Sequence, residues 1–133
     1  MQITAPHHMA LLTANFDKLR TFYVEVLGFP VIGAYSDRRI IFIGVGSIAI
    51  ELIERAGVSN DKSGGWGHFA FEVEDVDASY KALAELGVPF HVLPNDFPEG
   101  GPVSRIAFFR DPDGNELQLV QPLGPGRYPT VST

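Results

Sequence analysis

The sequence predicts an α+β fold: two βαβββ modules in pseudo-twofold repeat, forming a cup-shaped, partly open mixed sheet around a cavity with the helices outside. Three observations predict it. His8, Met9, Ala10 and Leu11, followed by Tyr23 and by Leu27-Gly28-Phe29-Pro30, return as His68, Phe69, Ala70 and Phe71, followed by Tyr80 and by Leu86-Gly87-Val88-Pro89. Arg39 to Phe42 and Ile50-Glu51-Leu52 return as Arg105 to Phe108 and Leu117-Gln118-Leu119. Within each copy, apolar spacing of period two gives way to the i, i+3, i+4 spacing of a helix and then reverts. A unit of roughly 60 residues buries too little surface to be comfortable alone, so the two copies are expected to share one domain. The whole chain, 1–133, reads as that single domain: module 1 about 3–54, a polar linker about 55–65, module 2 about 66–121 and a tail 122–133. The offset between copies slips by one residue between Arg39/Arg105 and Ile50/Leu117, and one extra residue in the intervening turn accounts for it.

In order, a strand over about Ile3–Leu12 leads to a helix over about Phe16–Leu27. Asn15 can cap that helix, Leu19, Phe22, Tyr23, Val26 and Leu27 share one face, and Gly28 sits where a left-handed C-cap residue belongs. Strands near Pro30–Ser36, Arg39–Val45 and Ser47–Ile53 follow, with turn signals at Ser36-Asp37 and Val45-Gly46. The second copy has a strand from Gly67 to Val73 and a helix capped by Asp75 or Asp77, with Val76, Tyr80, Leu83 and Ala84 on one face and Gly87 closing it. Strands near Pro89–Leu93, Val103–Arg110 and Asn115–Gln121 complete it. Asp111-Pro112-Asp113-Gly114 marks the last hairpin, because Pro pre-sets φ and Gly accepts φ > 0. Pro94–Pro102 reads as a longer Pro/Gly-rich loop, and Trp66, Phe97 and Tyr35 are candidate pocket-lining aromatics.

Net charge is −6 and no run of Lys or Arg exceeds Arg38-Arg39, so nucleic acid is not an expected partner. No apolar stretch approaches the roughly 18 residues that span a bilayer, and Met1–His8 lacks a basic segment followed by an apolar one. The expected setting is the cytoplasm, with no membrane partner. The chain has no cysteine, so any metal must be held by nitrogen and oxygen.

Strand alternation decides which side chains share a face. Ile48, Ile50 and Leu52 form the apolar face of their strand, which places Glu51 on the other with Ala49 and Ile53. Leu117 and Leu119 do the same in the last strand, which places Gln118 with Glu116 and Val120. His8 and His68 each have an alanine two residues on, Ala10 and Ala70, leaving room on that face for something other than protein. A buried carboxylate needs a partner, and a divalent cation is a strong one. His8, Glu51, His68 and Gln118 are therefore the candidate metal ligands, facing one cavity. His7 competes with His8 from the opposite face, and Glu116 competes with Gln118; the repeat favours His8 and Gln118, because only they align with partners in the other copy. Each residue also has a plainer reading, as a solvated or hydrogen-bonded side chain.

The runs HMALLTANFDKLRTFYVEVLGF (8–29), IELIE (50–54), GHFAFEVEDVDASYKALAELGV (67–88) and FFRDPDGNELQLV (108–120) resemble the vicinal oxygen chelate superfamily, which includes glyoxalase I, bleomycin-resistance proteins and extradiol dioxygenases. Fold and reaction separate in such a group. The resemblance implies metal ligation by His8, Glu51, His68 and Gln118. Three of these match the His, Glu, His, Glu order of bacterial glyoxalase I (lactoylglutathione lyase), and Gln118 departs from it. It also implies a small-molecule substrate, a divalent ion (Ni, Co, Zn, Mn or Fe) as cofactor, and a homodimer, the site forming within one chain or across two. The leading expectation is a metal-dependent lyase or isomerase that stabilises an enediolate, with Glu51 as the catalytic acid/base. The alternatives are a small-molecule binding or resistance protein of the bleomycin-resistance type, and a metal-dependent dioxygenase.

Overall fold

Each half of the chain wraps one sheet over one helix. The computed structural model describes residues 1, 6–59 and 67–129, and places them in two units, Met1–Asp61 and Lys62–Thr133. Unit 1 contains β1 (His8–Thr13), α1 (Phe16–Arg20) continued by a π-helical segment (Thr21–Val26), β2 (Val31–Ala34), β3 (Ile40–Val45) and β4 (Ile48–Glu54). Unit 2 contains β5 (Phe69–Glu72), α2 (Val76–Glu85), β6 (Phe90–Phe97), β7 (Ser104–Arg110) and β8 (Glu116–Pro122). The sheets are four-stranded, in the orders β1-β4-β3-β2 and β5-β8-β7-β6. In each, the first strand lies parallel to the last and the remaining pairs are antiparallel. This is the two-module α+β fold expected. The expected positions at Ile3, residues 60–65 of the linker, Trp66 and residues 130–133 lie outside the described residues.

One face of each sheet is closed by its helix. In unit 1, Leu19, Tyr23, Ile43, Ile50 and Leu52 lose all solvent contact, and in unit 2 Val76, Ala107, Phe109 and Leu117 do so. Each large apolar side chain so buried contributes about 1.5–3 kcal/mol. An ion pair recurs on this face: Arg39, at the start of β3, holds Asp17 of α1, and Arg105 of β7 holds Asp77 of α2.

The first helix departs from the expected uniform α-helix. Leu27 N–H donates to the Phe22 carbonyl, an i→i−5 bond, and the segment Thr21–Val26 is π-helical. The cause is countable: both helices start eight residues after their histidine (8 to 16, 68 to 76), yet the Leu-Gly that ends them comes at Leu27 and at Leu86, one residue later in unit 1. A widened π turn absorbs one added residue without shifting the flanking strands. Val26 and Leu27 are consequently only half-buried, and Ala84 of α2 is exposed rather than on the packed face. Gly28 and Gly87 take φ of +80° and +89° at the helix ends, as expected. Asp75 caps α2 by accepting from Ala78 N–H, whereas Asn15 makes no side-chain cap bond and its N–H donates to Thr13 Oγ1.

The Pro94–Pro102 loop is shorter than expected, since β6 runs on to Phe97 and pairs Asn95, Asp96 and Phe97 with Ile106, Arg105 and Ser104. Pro94 is tolerated because β6 is an edge strand whose register shifts between Val92 and Asn95. The β7–β8 turn is built on Asp111, whose Oδ1 accepts from the N–H groups of Asp113 and Asn115 and whose Oδ2 accepts from Asn115 Nδ2. Gly44 pairs with Ala49 across four residues in unit 1 and Arg110 with Glu116 across five in unit 2, so the one-residue slip in the repeat does fall in this turn.

Candidate functional site

The face of each sheet away from its helix carries the candidate residues, in one register in both units. Ala10 and Phe42 both pair with Glu51, and Ala70 and Phe108 both pair with Gln118. His8 stands edge-on to Phe42, with ring centroids 5.8 Å apart. His68 stands edge-on to Phe108 at 5.5 Å. Each unit therefore presents a histidine, a phenylalanine and a carboxylate or amide as one row across its strands. Glu51 and Gln118 are half-buried, with Ile50 and Leu52, or Leu117 and Leu119, pointing into the core on either side.

In unit 1, His8 Nε2 lies 3.3 Å from Glu51 Oε1, with the carboxylate side chain 15% exposed. Two donor atoms that each bind one ion at about 2.0–2.2 Å on adjacent coordination positions are themselves about 3 Å apart, so this pair suits a shared cation as well as a direct contact. His7 is not turned away from this face as expected: its Nδ1 is 2.8 Å from His8 Nδ1, and the rings meet edge-on at 5.1 Å. One of the two Nδ1 atoms must carry the proton of that bond. Beside the row lies an open cleft of about 430 Å³, lined by His7, Ile32, Phe42, Ile48 and Ala49.

Unit 2 holds more than its counterpart. Glu116, the competitor of Gln118, has both oxygens engaged: His91 Nε2 donates to Oε1, and Arg110 Nε lies 3.5 Å from Oε2. His91 was not singled out by sequence reasoning. It has no histidine at its place in the first copy, where the counterpart is Ile32, and both residues sit at a bulge of their edge strand. Its ring lies 6.2 Å from that of Phe108, which also packs on His68. Tyr35 and Phe97 are about half exposed, at 50% and 57%, and Tyr35 approaches Phe42 at 6.1 Å. Among the described residues no three His, Asp or Glu side chains of one unit converge as a complete ligand set. No helix among them is long and apolar enough to cross a membrane.

Comparison with known proteins agrees with this architecture. YraH, an uncharacterized protein of Bacillus subtilis (strain 168), is 32% identical over 123 residues, covering 85% of this chain and 94% of its own length. A probable lactoylglutathione lyase of Vibrio parahaemolyticus is 30% identical over 123 residues, covering 86% of this chain and 88% of its own. The crystal structure of SMU.1112c superposes with a TM-score of 0.75 at 32% identity, covering 90% of this chain and all of that one. The profile of the Glyoxalase/Bleomycin resistance protein/Dioxygenase superfamily matches residues 5–119. With the βαβββ unit present twice in the same strand order and that profile spanning both copies, the chain belongs to the glyoxalase/bleomycin resistance protein/dioxygenase superfamily.

Proposed function

We propose that the protein is a metal-dependent lyase or isomerase of the glyoxalase I kind, acting on a small oxygenated substrate, with His8, Glu51, His68 and Gln118 as ligands of one divalent ion. The observation that supports this reading is the pairing of His8 Nε2 with Glu51 Oε1 at 3.3 Å, with Gln118 paired to Ala70 in the second unit as Glu51 is to Ala10 in the first. All four are nitrogen or oxygen donors, which suits Ni, Co, Zn, Mn or Fe. The lactoylglutathione lyase name carried by a relative supports the reaction class. When bound, such an ion supplies Lewis-acid stabilisation of an oxyanion such as an enediolate.

The chain's own groups do the rest. Glu51 takes a proton from the substrate carbon and returns it to the neighbouring carbon, a transfer between adjacent atoms that one carboxylate can serve. Gln118 contributes a neutral amide oxygen and cannot carry a proton at neutral pH. Phe42 and Phe108 fix the histidine rings, and the cleft at His7, Ile32 and Ala49 gives space for the substrate. A homodimer is part of the reading, since the two half-sites can come from one chain or from two.

The test is metal analysis of the purified protein together with an isomerase assay using a 2-oxoaldehyde and a thiol. Close to one divalent ion per chain, lost in the doubly substituted His8→Ala, His68→Ala protein, is the expected result. Wild-type metal uptake by that variant overturns the ligand assignment. Metal uptake without turnover favours the second reading, a small-molecule binding protein, for which the open cleft is the supporting observation.

A further inference from the structure

The cleft beside His8 is a hollow in the open face of the unit 1 sheet, and small residues make room for it. Gly44 and Ala49 pair across β3 and β4, about 7 Å along the strands from the pair Phe42 and Glu51. Having no side chain, Gly44 lets Ile32 lie down on it, since an added Cβ there would meet Ile32 Cγ2 at 3.0 Å. Ala49 takes up little of the space beside them. The result is a cleft of about 430 Å³ bounded by Ile32, Phe42 and Ala49 and by the more polar His7 and Ser47. In unit 2 the positions of Ile32, Gly44 and Ala49 are occupied by His91, Arg110 and Glu116, which pair with one another. The residues that make the hollow are therefore particular to the first copy.

We infer that this cleft selects the substrate: it takes the part that lies beyond the reacting oxygens, and that part is an uncharged aryl or alkyl group rather than an acidic thiol such as glutathione. The inference rests on the isomerase reading above and names its substrate class. Two relationships support it. The cleft is continuous with the candidate ligands, because Phe42 lines it, pairs with Glu51 and stands against His8, while Ala49 shares the face of Glu51. A molecule whose oxygens reach His8 and Glu51 has the cleft as its neighbouring space. The lining also has the right chemistry. Among the described residues that line it, none bears a carboxylate, an ammonium or a guanidinium, and Ile32 keeps 63% of its surface exposed. A large apolar side chain held open beside a polar row gives an apolar group area to bury. A carboxylate placed there would lose part of its hydration with no cation to replace it.

The test uses the zinc-loaded full chain, labelled at its isoleucine and alanine methyl groups, and three hydroxamates that share a pair of adjacent oxygens. These are acetohydroxamate, phenylpropanohydroxamate and succinomonohydroxamate, whose tails are a methyl, an aryl-alkyl group and a carboxylate. By calorimetry the phenyl compound is expected to bind about tenfold more tightly than acetohydroxamate, and to shift the Ile32 and Ala49 methyl signals. The carboxylate tail is expected to add nothing. In turnover, the methylglyoxal adduct of phenylethanethiol should exceed that of glutathione by a similar factor in kcat/KM. Ile32→Arg, at an exposed edge position, puts a cation at the cleft and should shift the preference a few-fold towards the carboxylate tail. Ala49→Leu fills the hollow and should remove the gain from the phenyl group while acetohydroxamate still binds. A wild-type preference for the carboxylate tail or for the glutathione adduct overturns the proposal, as does a phenyl gain that survives both substitutions. So does a cleft covered by a second copy, seen as a dimer that Ile32→Arg dissociates while all three probes bind as before. Binding of acetohydroxamate with no gain from the phenyl group overturns this inference alone. A zinc-loaded wild type that binds no hydroxamate and turns over neither adduct overturns the function reading itself, and this one with it.

Discussion

Arg105 clasps Asp77 through two bonds, Nε to Oδ2 at 2.6 Å and Nη2 to Oδ1 at 2.9 Å, tying the first turn of α2 to β7. Arg39 reaches Asp17 in unit 1 through Nη2 to Oδ1 at 2.6 Å, while its Nε donates to Glu54. The Arg105 guanidinium holds the Asp77 carboxyl below its ordinary value of 3.8. A carboxyl depressed in the folded state contributes stability that is present above its unfolded pKa and is lost as pH falls through the folded one. Asp77→Asn should therefore melt below wild type at neutral pH, with the gap closing as pH drops through about 4 and below. The gap will be small, since exposed ion pairs are weak. A gap that widens in acid would contradict the assignment.

Asp111 is 4% exposed and accepts two backbone N–H bonds and one from Asn115 Nδ2. Asp111→Ala leaves those donors without their acceptor in a place water cannot easily reach. A destabilisation of about 2–4 kcal/mol is expected by denaturant titration. Asn115→Ala, which leaves the two backbone bonds intact, should cost less.

Phe42 sets the plane of the His8 ring, the two standing at 89°. Phe42→Leu keeps an apolar side chain but removes that edge-to-face constraint. Metal affinity is expected to drop about tenfold, the lower end of what orienting partners contribute, with the fold retained. Calorimetric metal titration beside a melting curve checks both halves of this statement.

Glu51→Gln should keep the fold, weaken metal binding moderately and cut turnover by roughly 10²- to 10⁴-fold. Full activity in this variant would remove Glu51 from the chemistry. A loss confined to thermal stability would make its carboxylate structural.

Gln118→Glu adds one negative charge to the proposed ligand set. Metal binding is expected to tighten, and isomerase activity towards the oxoaldehyde adduct to rise, because charge on the ion and its ligands controls both. If Glu116→Gln, and not Gln118→Ala, abolishes metal uptake, the ligand in β8 lies one inward position earlier.

Most of the fold was legible because repetition and alternation are properties of residue order. The faces of β4 and β8 follow from Ile50 and Leu52, and from Leu117 and Leu119, so the placement of Glu51 and Gln118 needed no tertiary information. The π-helical segment was present only as arithmetic, one more residue between His8 and Leu27 than between His68 and Leu86, and helical periodicity alone does not register a single inserted residue. The reach of β6 past Pro94 was hidden because proline signals a loop unless the strand is known to be an edge. The Arg39–Asp17 and Arg105–Asp77 pairs were within reach, since both members repeat, but arginine and aspartate on a charged surface give no signal until their partners are known. His91 was not legible from the repeat, because what marks it is the lack of a counterpart.

The two sides of each strand answer to different demands. Residues pointing towards the helix, such as Ile43 and Phe109 or Leu52 and Leu119, hold each unit together and are interchangeable apolar shapes. On the reverse side, Ile32, Gly44 and Ala49 in one copy correspond to His91, Arg110 and Glu116 in the other, at no visible cost to strand order or pairing. A duplicated gene could thus rewrite the chemistry of one copy while the other, and the shared scaffold, stayed as they were. Selection for a new substrate in this architecture can proceed through the open side alone, one residue in two along the strand, without first having to solve folding again.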